Sequence, residues 1–151
     1  MATQQTIDQA KTEAFVGKVL ADTAGLAVTV MSSIGDRLGL FKELAKGPTT
    51  SAELASRANV NERYAREWLG AMASASYLEY DPQTGRFSLP AEHAPVLAQE
   101  GGPVFLGGVQ QEMVGLVGPI KQLMHAFRFG GGVPVSAYDY STWEGKIGRA
   151  S

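Results

Sequence analysis

The chain has no cysteine, which removes both a disulfide scaffold and any thiolate-based zinc site and suits a reducing cytosol. Its two histidines, His93 and His125, lie far apart and neither belongs to a ligand-spaced cluster, so no metal site is expected. Positive charge is not in excess either. Thirteen Lys and Arg against fifteen Asp and Glu leave a formal charge of −2, which argues against a polyanionic partner or an anionic membrane surface. The longest apolar patch, Gly25 to Met31, falls far below the roughly 20 residues that span a bilayer. Met1 to Asp8 is polar, with no basic region ahead of an apolar one, and is not a secretory signal. These absences predict a soluble, cytoplasmic protein with no membrane partner.

What is present is organised around Thr49 to Leu89. Thr50-Ser51-Ala52-Glu53 has the form of a capping box and starts a short helix at Ser51, with Leu54, Ala55 and Ala58 on its apolar face. Asn59-Val60-Asn61 closes that helix, and Asn61 caps the next. In the second helix Tyr64, Trp68, Leu69, Met72 and Ala75 recur at three- and four-residue intervals, the spacing of one buried stripe, while Arg63, Arg66 and Glu67 fall opposite. From Tyr77 to Tyr80 the period becomes two, Asp81-Pro82-Gln83-Thr84-Gly85 has turn chemistry, and Arg86 to Leu89 alternates again. Helix, turn, helix and hairpin in this order predict a winged helix-turn-helix. Its cations, Arg57, Arg63, Arg66 and Arg86, are outnumbered by Glu53, Glu62, Glu67, Glu79 and Asp81. Proteins that bind DNA gain most of their non-specific affinity by neutralising phosphates, so nucleic acid is an unfavoured partner here.

Ahead of this module, Thr6 is expected to cap a helix with Ile7, Ala10, Ala14 and Phe15 on one face. Between Phe15 and Leu44 the apolar groups are too many for one stripe, and a helix hydrophobic most of the way round is buried from several sides. A chain this short offers little to cover it, which predicts a homodimer. Gly25, Gly35 and Gly39 are candidate breaks or points of close helix approach, and Gly47-Pro48 ends the segment.

After the hairpin, Pro90 to Gln99 reads as a short helical connection and Gly101-Gly102-Pro103 as a break. Phe105, Val109, Met113, Leu116, Ile120, Leu123 and Phe127 then form a helical stripe through Pro119, which predicts a kink between Gly115 and Gly118 instead of an end. Gln110, Gln111, Glu112 and Lys121 fall on the opposite face, expected to be solvated. Gly130 to Gly132 follows a helix, not a strand, and is no phosphate-cradling loop. Beyond it, Tyr138, Tyr140 and Trp143 stand among small and polar residues.

The order of these parts resembles the N-terminal region of class I S-adenosylmethionine-dependent methyltransferases that modify small molecules, including the bacterial branch sometimes labelled as transcriptional regulators. The resemblance covers nearly the whole chain. It is carried most specifically by Ile34-Gly35-Asp36-Arg37-Leu38-Gly39-Leu40-Phe41, by Arg63-Tyr64-Ala65-Arg66-Glu67-Trp68-Leu69, and by Gly131-Gly132-Val133-Pro134-Val135-Ser136-Ala137-Tyr138. Ala137-Tyr138-Asp139-Tyr140 also looks like the Ala-aromatic-acid-Tyr segment of small-molecule O-methyltransferases, which lies near the cofactor and acceptor pocket.

The resemblance implies dimerisation helices at 1–48, a winged helix at 49–89, a helical pocket-covering segment at 90–129, and at 130–151 a linker towards a catalytic domain. It makes Gln110, Met113, Tyr138, Tyr140 and Trp143 substrate-pocket candidates. S-adenosylmethionine is implied for the full-length protein, together with a small-molecule acceptor, but the glycine-rich turn and ribose-binding acid that hold the cofactor are not in this sequence. No residue is therefore nominated as catalytic, cofactor-binding or metal-binding. The expected fold class is mainly α with a small β-hairpin. The competing readings are a winged-helix transcriptional regulator and a stand-alone dimeric protein that binds a hydrophobic ligand.

Overall fold

The computed structural model of the protein describes residues 7–138. Its first element, α1, runs from Gln9 to Arg37, about 43 Å at the usual helical rise. The side chain of Asp8 accepts the Lys11 amide at 3.2 Å and caps it; Thr6, the expected cap, lies outside the described residues. Gly25 and Gly35 do not interrupt the helix, contrary to one expectation for them, and this continuity makes α1 long and apolar enough, by length and composition alone, to cross a membrane. Its turn comes at Gly39, whose φ of 71° lies in the left-handed region that glycine enters without a Cβ penalty. A short helix α2, Leu40–Leu44, follows at once.

The winged helix forms as its capping residues predict. Helix α3, Ser51–Ala58, opens on a complete capping box, with Thr50 Oγ1 accepting the Glu53 amide and Glu53 Oε2 accepting the Thr50 amide at 3.0 Å. Asn59, in the left-handed region, ends it, and Asn61 Oδ1 accepts the Arg63 amide to start α4, Glu62–Ser74. Strands β1, Glu79–Asp81, and β2, Arg86–Ser88, pair antiparallel with Tyr80 opposite Phe87. Thr49 exchanges both backbone hydrogen bonds with Phe87 and so binds the wing to the entry of α3.

The core gathers Leu40, Phe41, Leu44, Leu54, Trp68, Leu69, Met72, Leu78 and Leu97. Trp68 is its anchor. The indole packs edge-on against Phe41 at 5.0 Å between centroids, and its N–H donates to the Met31 carbonyl of α1 at 2.8 Å. Gly35 lets α1 come this close: a Cβ there would stand 2.3 Å from Trp68 Cζ2. Of the predicted stripe on α4, Trp68, Leu69 and Met72 are buried, but Tyr64 is 71% exposed and Ala65 takes the inward place. The spacing allowed either residue to begin the stripe.

Beyond the wing lie the single turn α5, Ala94–Leu97, then α6, Gly107–Leu116, and α7, Ile120–Phe129, followed by a 3-10 turn at Val135–Ala137. The helix expected to bend through Pro119 ends instead. Val117 to Pro119 form a turn in which the Gly118 amide reaches the Gly115 carbonyl at 3.3 Å, and Pro119, which has no amide to donate, becomes the cap of a new helix. Helix α7 buries none of its residues, and Phe127 on it is 91% exposed.

Candidate functional site

Three of the four arginines on the winged helix, Arg57, Arg66 and Arg86, each face a glutamate. Arg86 grips both carboxylate oxygens of Glu53 at 2.8 Å and also donates to the Pro48 carbonyl at 3.0 Å. The Arg86 hydrogen bond, helped by the Thr50 amide, holds the Glu53 carboxyl down at about 2, and the same pairing raises the Arg86 guanidinium. Arg66 stands 3.8 Å from Glu62 and Arg57 stands 4.0 Å from Glu43. A guanidinium already facing a carboxylate releases fewer counterions on meeting a phosphate.

A second surface is built where α6 crosses the last turns of α1. Ser32, Ser33 and Asp36 of α1 are buried, and so are Gly107, Gln111 and Gly115 of α6. Ser32 Oγ donates to Gln110 Oε1 at 2.6 Å, and the Gln111 carboxamide donates to Asp36 Oδ2. Gly107 sits directly over that carboxylate, and a Cβ there would fall 2.7 Å from Asp36 Cγ. This reverses the expected orientation of α6. Gln110 and Gln111, expected on a solvated face, form the seam, while Val109 and Met113 of the apolar stripe are turned outward. The reason is chemical: small and amide side chains let two backbones approach around a buried carboxylate, which must be hydrogen-bonded where water is excluded.

Two hollows lie on the described surface, the first of them bordered by Gln110 of this seam. One, of about 250 Å³, lies between the end of α4, α5 and the start of α6 and is lined by Ala75, Ser76, Tyr77, His93, Val96, Leu97, Leu106 and Gln110. The other, of about 340 Å³, is lined by Leu123, Ala126 and Phe127 of α7 with Gly132, Val133 and Tyr138. Of the five residues nominated from sequence, Gln110 thus borders the first hollow and Tyr138 the second. Met113 is an exposed residue of α6, and Tyr140 and Trp143 lie outside the described residues. The residues that sequence reasoning missed are Ser32, Asp36 and His93. Only a polar residue at regular spacing on an otherwise apolar helix, as in Ser32 and Asp36, gave any signal of them.

S-adenosylmethionine does not fit what is described. A dinucleotide-like cofactor site needs a glycine turn between a parallel strand and a helix and an acid for the ribose, whereas the described sheet has two antiparallel strands. Gly130, Gly131 and Gly132 all have positive φ but follow α7.

Residues 26–99 match the Rv2258c-like winged HTH domain, and the fold is similar to part of several solved methyltransferase structures. Among solved structures, the chain is similar to the mitomycin 7-O-methyltransferase MmcR, with TM-score 0.67 and 21% identity over 83% of this chain and 37% of that one. It is also similar to the N,N-8-amino-8-demethyl-D-riboflavin dimethyltransferase RosA from Streptomyces davawensis, with TM-score 0.66 and 23% identity over 85% and 37%. Human N-acetylserotonin methyltransferase, solved in complex with SAM, gives TM-score 0.65 and 21% identity over 88% and 38%. No curated protein matches the chain closely in sequence. The chain therefore spans little more than a third of the length of the structures it matches.

Proposed function

We propose that this chain is the dimerisation and substrate-covering part of a cytosolic methyltransferase that uses S-adenosylmethionine to modify a small molecule, and that it works joined to a separate cofactor-binding half. The observation that carries the reading is the uncovered apolar surface at its two ends. Phe15, Val16, Val19 and Leu20 on α1 and Ile120, Met124, Phe127 and Phe129 on α7 are all about half exposed or more. Leaving this much apolar surface in water forfeits roughly 25 cal/mol per Å² that burial would return, and contiguous patches of this kind mark interaction surfaces.

In this reading residues 1–48 supply the helices of a homodimer and 49–89 the winged helix. Residues 90–129 cover the acceptor, with Gln110 and Met113 towards the pocket. Residues 130–151 lead to the catalytic half and bring Tyr138, Tyr140 and Trp143 to the pocket wall. The pairing of Arg57, Arg66 and Arg86 with glutamates and the acidic balance of the module favour this over a DNA-binding regulator.

Two measurements test it. Light scattering at micromolar concentration is expected to give a dimer, and Leu20→Asp, which places a carboxylate in the proposed interface, to give a monomer of unchanged helicity; a stable wild-type monomer would sink the dimer. Reading the gene past Ser151 is expected to reveal alternating strands and helices that open on a Gly-x-Gly turn. The product extended through that region should then transfer labelled methyl groups to an aromatic acceptor, and its failure to bind S-adenosylmethionine would remove the methyltransferase assignment.

A further inference from the structure

We propose that α7 is a docking helix for an anionic lipid surface, with Ile120, Met124 and Phe127 as its inserted face and Lys121 and Arg128 as its contacts to headgroup phosphates. The methyltransferase reading requires α7 to meet something without naming it, and the proposal holds whether or not that reading does. Within α7, Ile120, Leu123, Met124 and Phe127 recur at intervals of three and four and so share one face. Ile120, Met124 and Phe127 are each more than half exposed, and the helix buries none of its residues. Lys121 and Arg128, seven positions apart, stand together along one border of that face, with His125 beside them. Among the described residues neither cation has an ion-pair partner.

Charge decides between the possible occupants. From Met113 to Tyr138 the sequence holds no aspartate or glutamate, so that stretch supplies no carboxylate to neutralise the pair. The other uncovered apolar surface, on the first half of α1, is different. There Lys11 and Lys18 are paired with Asp8 and Asp22, which leaves a balanced face suited to another protein surface. Protein interfaces, moreover, are depleted in lysine. A helix whose cations edge an exposed apolar face instead matches the boundary of a bilayer, where the aliphatic stems lie along the acyl chains and the charged heads reach the phosphates. The formal charge of −2 on the whole chain speaks against such a surface only when charge is evenly spread, and here the cations are segregated on an element with no acid.

The core explains why the proposal is testable by substitution. Helix α7 contributes no residue to it, so changes on the exposed face alter docking without unfolding the protein.

The test is flotation of the full chain with vesicles of phosphatidylcholine and phosphatidylglycerol in equal parts, against vesicles of phosphatidylcholine alone. Flotation with the anionic vesicles is expected, at least tenfold weaker on the neutral ones and falling as salt rises. Lys121→Gln combined with Arg128→Gln should weaken it by more than tenfold, at about fivefold per cation. Phe127→Ser, at a position 91% exposed, should weaken it as well, with melting temperature and helicity unchanged. Phe15→Ser, on the other uncovered face, should leave vesicle binding as it is. No flotation at millimolar lipid, equal flotation on both kinds of vesicle, binding that survives Phe127→Ser, or an equal loss with Phe15→Ser would each overturn the proposal. So would capture of the chain by immobilised polyglutamate without flotation on anionic vesicles, which would assign α7 to an acidic polypeptide. With no cofactor or acceptor in the assay, either result leaves the methyltransferase reading to its own tests.

Discussion

Trp68 and Gly35 form a single packing decision made by two residues distant in sequence. The indole fills the space between α4, α2 and α1, its N–H is satisfied by the Met31 carbonyl, and the absent Cβ at position 35 is what lets α1 close over it. Truncating Trp68 to alanine leaves a cavity and an unused carbonyl lone pair, and is expected to cost about 3 to 5 kcal/mol in urea unfolding. Gly35→Ala acts in the opposite sense, overpacking the same contact, and should cost about 1 to 3 kcal/mol even though alanine is the better helix former. An unchanged or raised midpoint in either variant would mean that α1 is not seated on α4 as described. Asp36 illustrates the other kind of residue-scale constraint. Buried beneath Gly107 and hydrogen-bonded by Gln111, it is tolerated because polar groups surround it.

At the scale of elements, the wing is held to α3 by the Glu53–Arg86 clamp and by the backbone bridge from Thr49 to Phe87. Folding lowers the Glu53 carboxyl from 4.5 to about 2, chiefly through the Arg86 hydrogen bond. A depressed carboxyl pKa gives a contribution that is complete above about 4.5 and fades as pH falls towards 2. Asp81, held low by the Thr84 hydroxyl in the turn of the wing, acts in the same direction. The clamp is solvent-exposed, so the effect is small and weakens with salt. The expected outcome is a loss of wing amide protection between pH 4.5 and 2 that is shallower in Glu53→Gln, and superimposable acid limbs would contradict it. The same ion pairs govern nucleic acid. With Arg57, Arg66 and Arg86 each facing a glutamate, duplex DNA titrated at two salt concentrations is expected to show no binding at physiological ionic strength. Sub-micromolar affinity with a steep salt slope would restore the regulator reading.

For the molecule as a whole, the balance between covered and uncovered apolar surface divides it into a packed centre and two uncovered ends. Residues from Met31 to Leu97 make a shared core, whereas the first half of α1 and all of α7 face outward. In the proposed function, cofactor binding is left to a separate half. Calorimetry on the present chain at millimolar S-adenosylmethionine, or its demethylated product, should register no saturable heat, since the described residues supply neither the glycine turn on a parallel strand nor the ribose acid. A clear saturable heat would mean that the cofactor contacts lie within residues 1–151.

Local chemistry determined α3, α4 and the wing. The capping box at Thr50 and Glu53, the Asn61 cap, the stripe of Trp68, Leu69 and Met72 and the Asp81 to Gly85 turn act over a few residues, and each was legible from spacing alone. The shortage of free positive charge on that module was equally a property of the sequence. Tertiary packing decided what spacing left degenerate. Periodicity named one face of α6 as apolar, yet the opposite face packs on α1, because Gln111 meets an aspartate 75 residues away and Gly107 gives it room. The same holds for Tyr64 giving way to Ala65, for α1 continuing through Gly25 and Gly35, and for the break at Pro119. The pairing of Gln110 with Ser32 and of His93 with Tyr77, on which the first hollow depends, joins residues 78 and 16 apart. Contacts at such separations depend on how whole helices settle against one another, where steric fit and hydrogen-bond satisfaction outweigh the hydrophobic pattern of any single element.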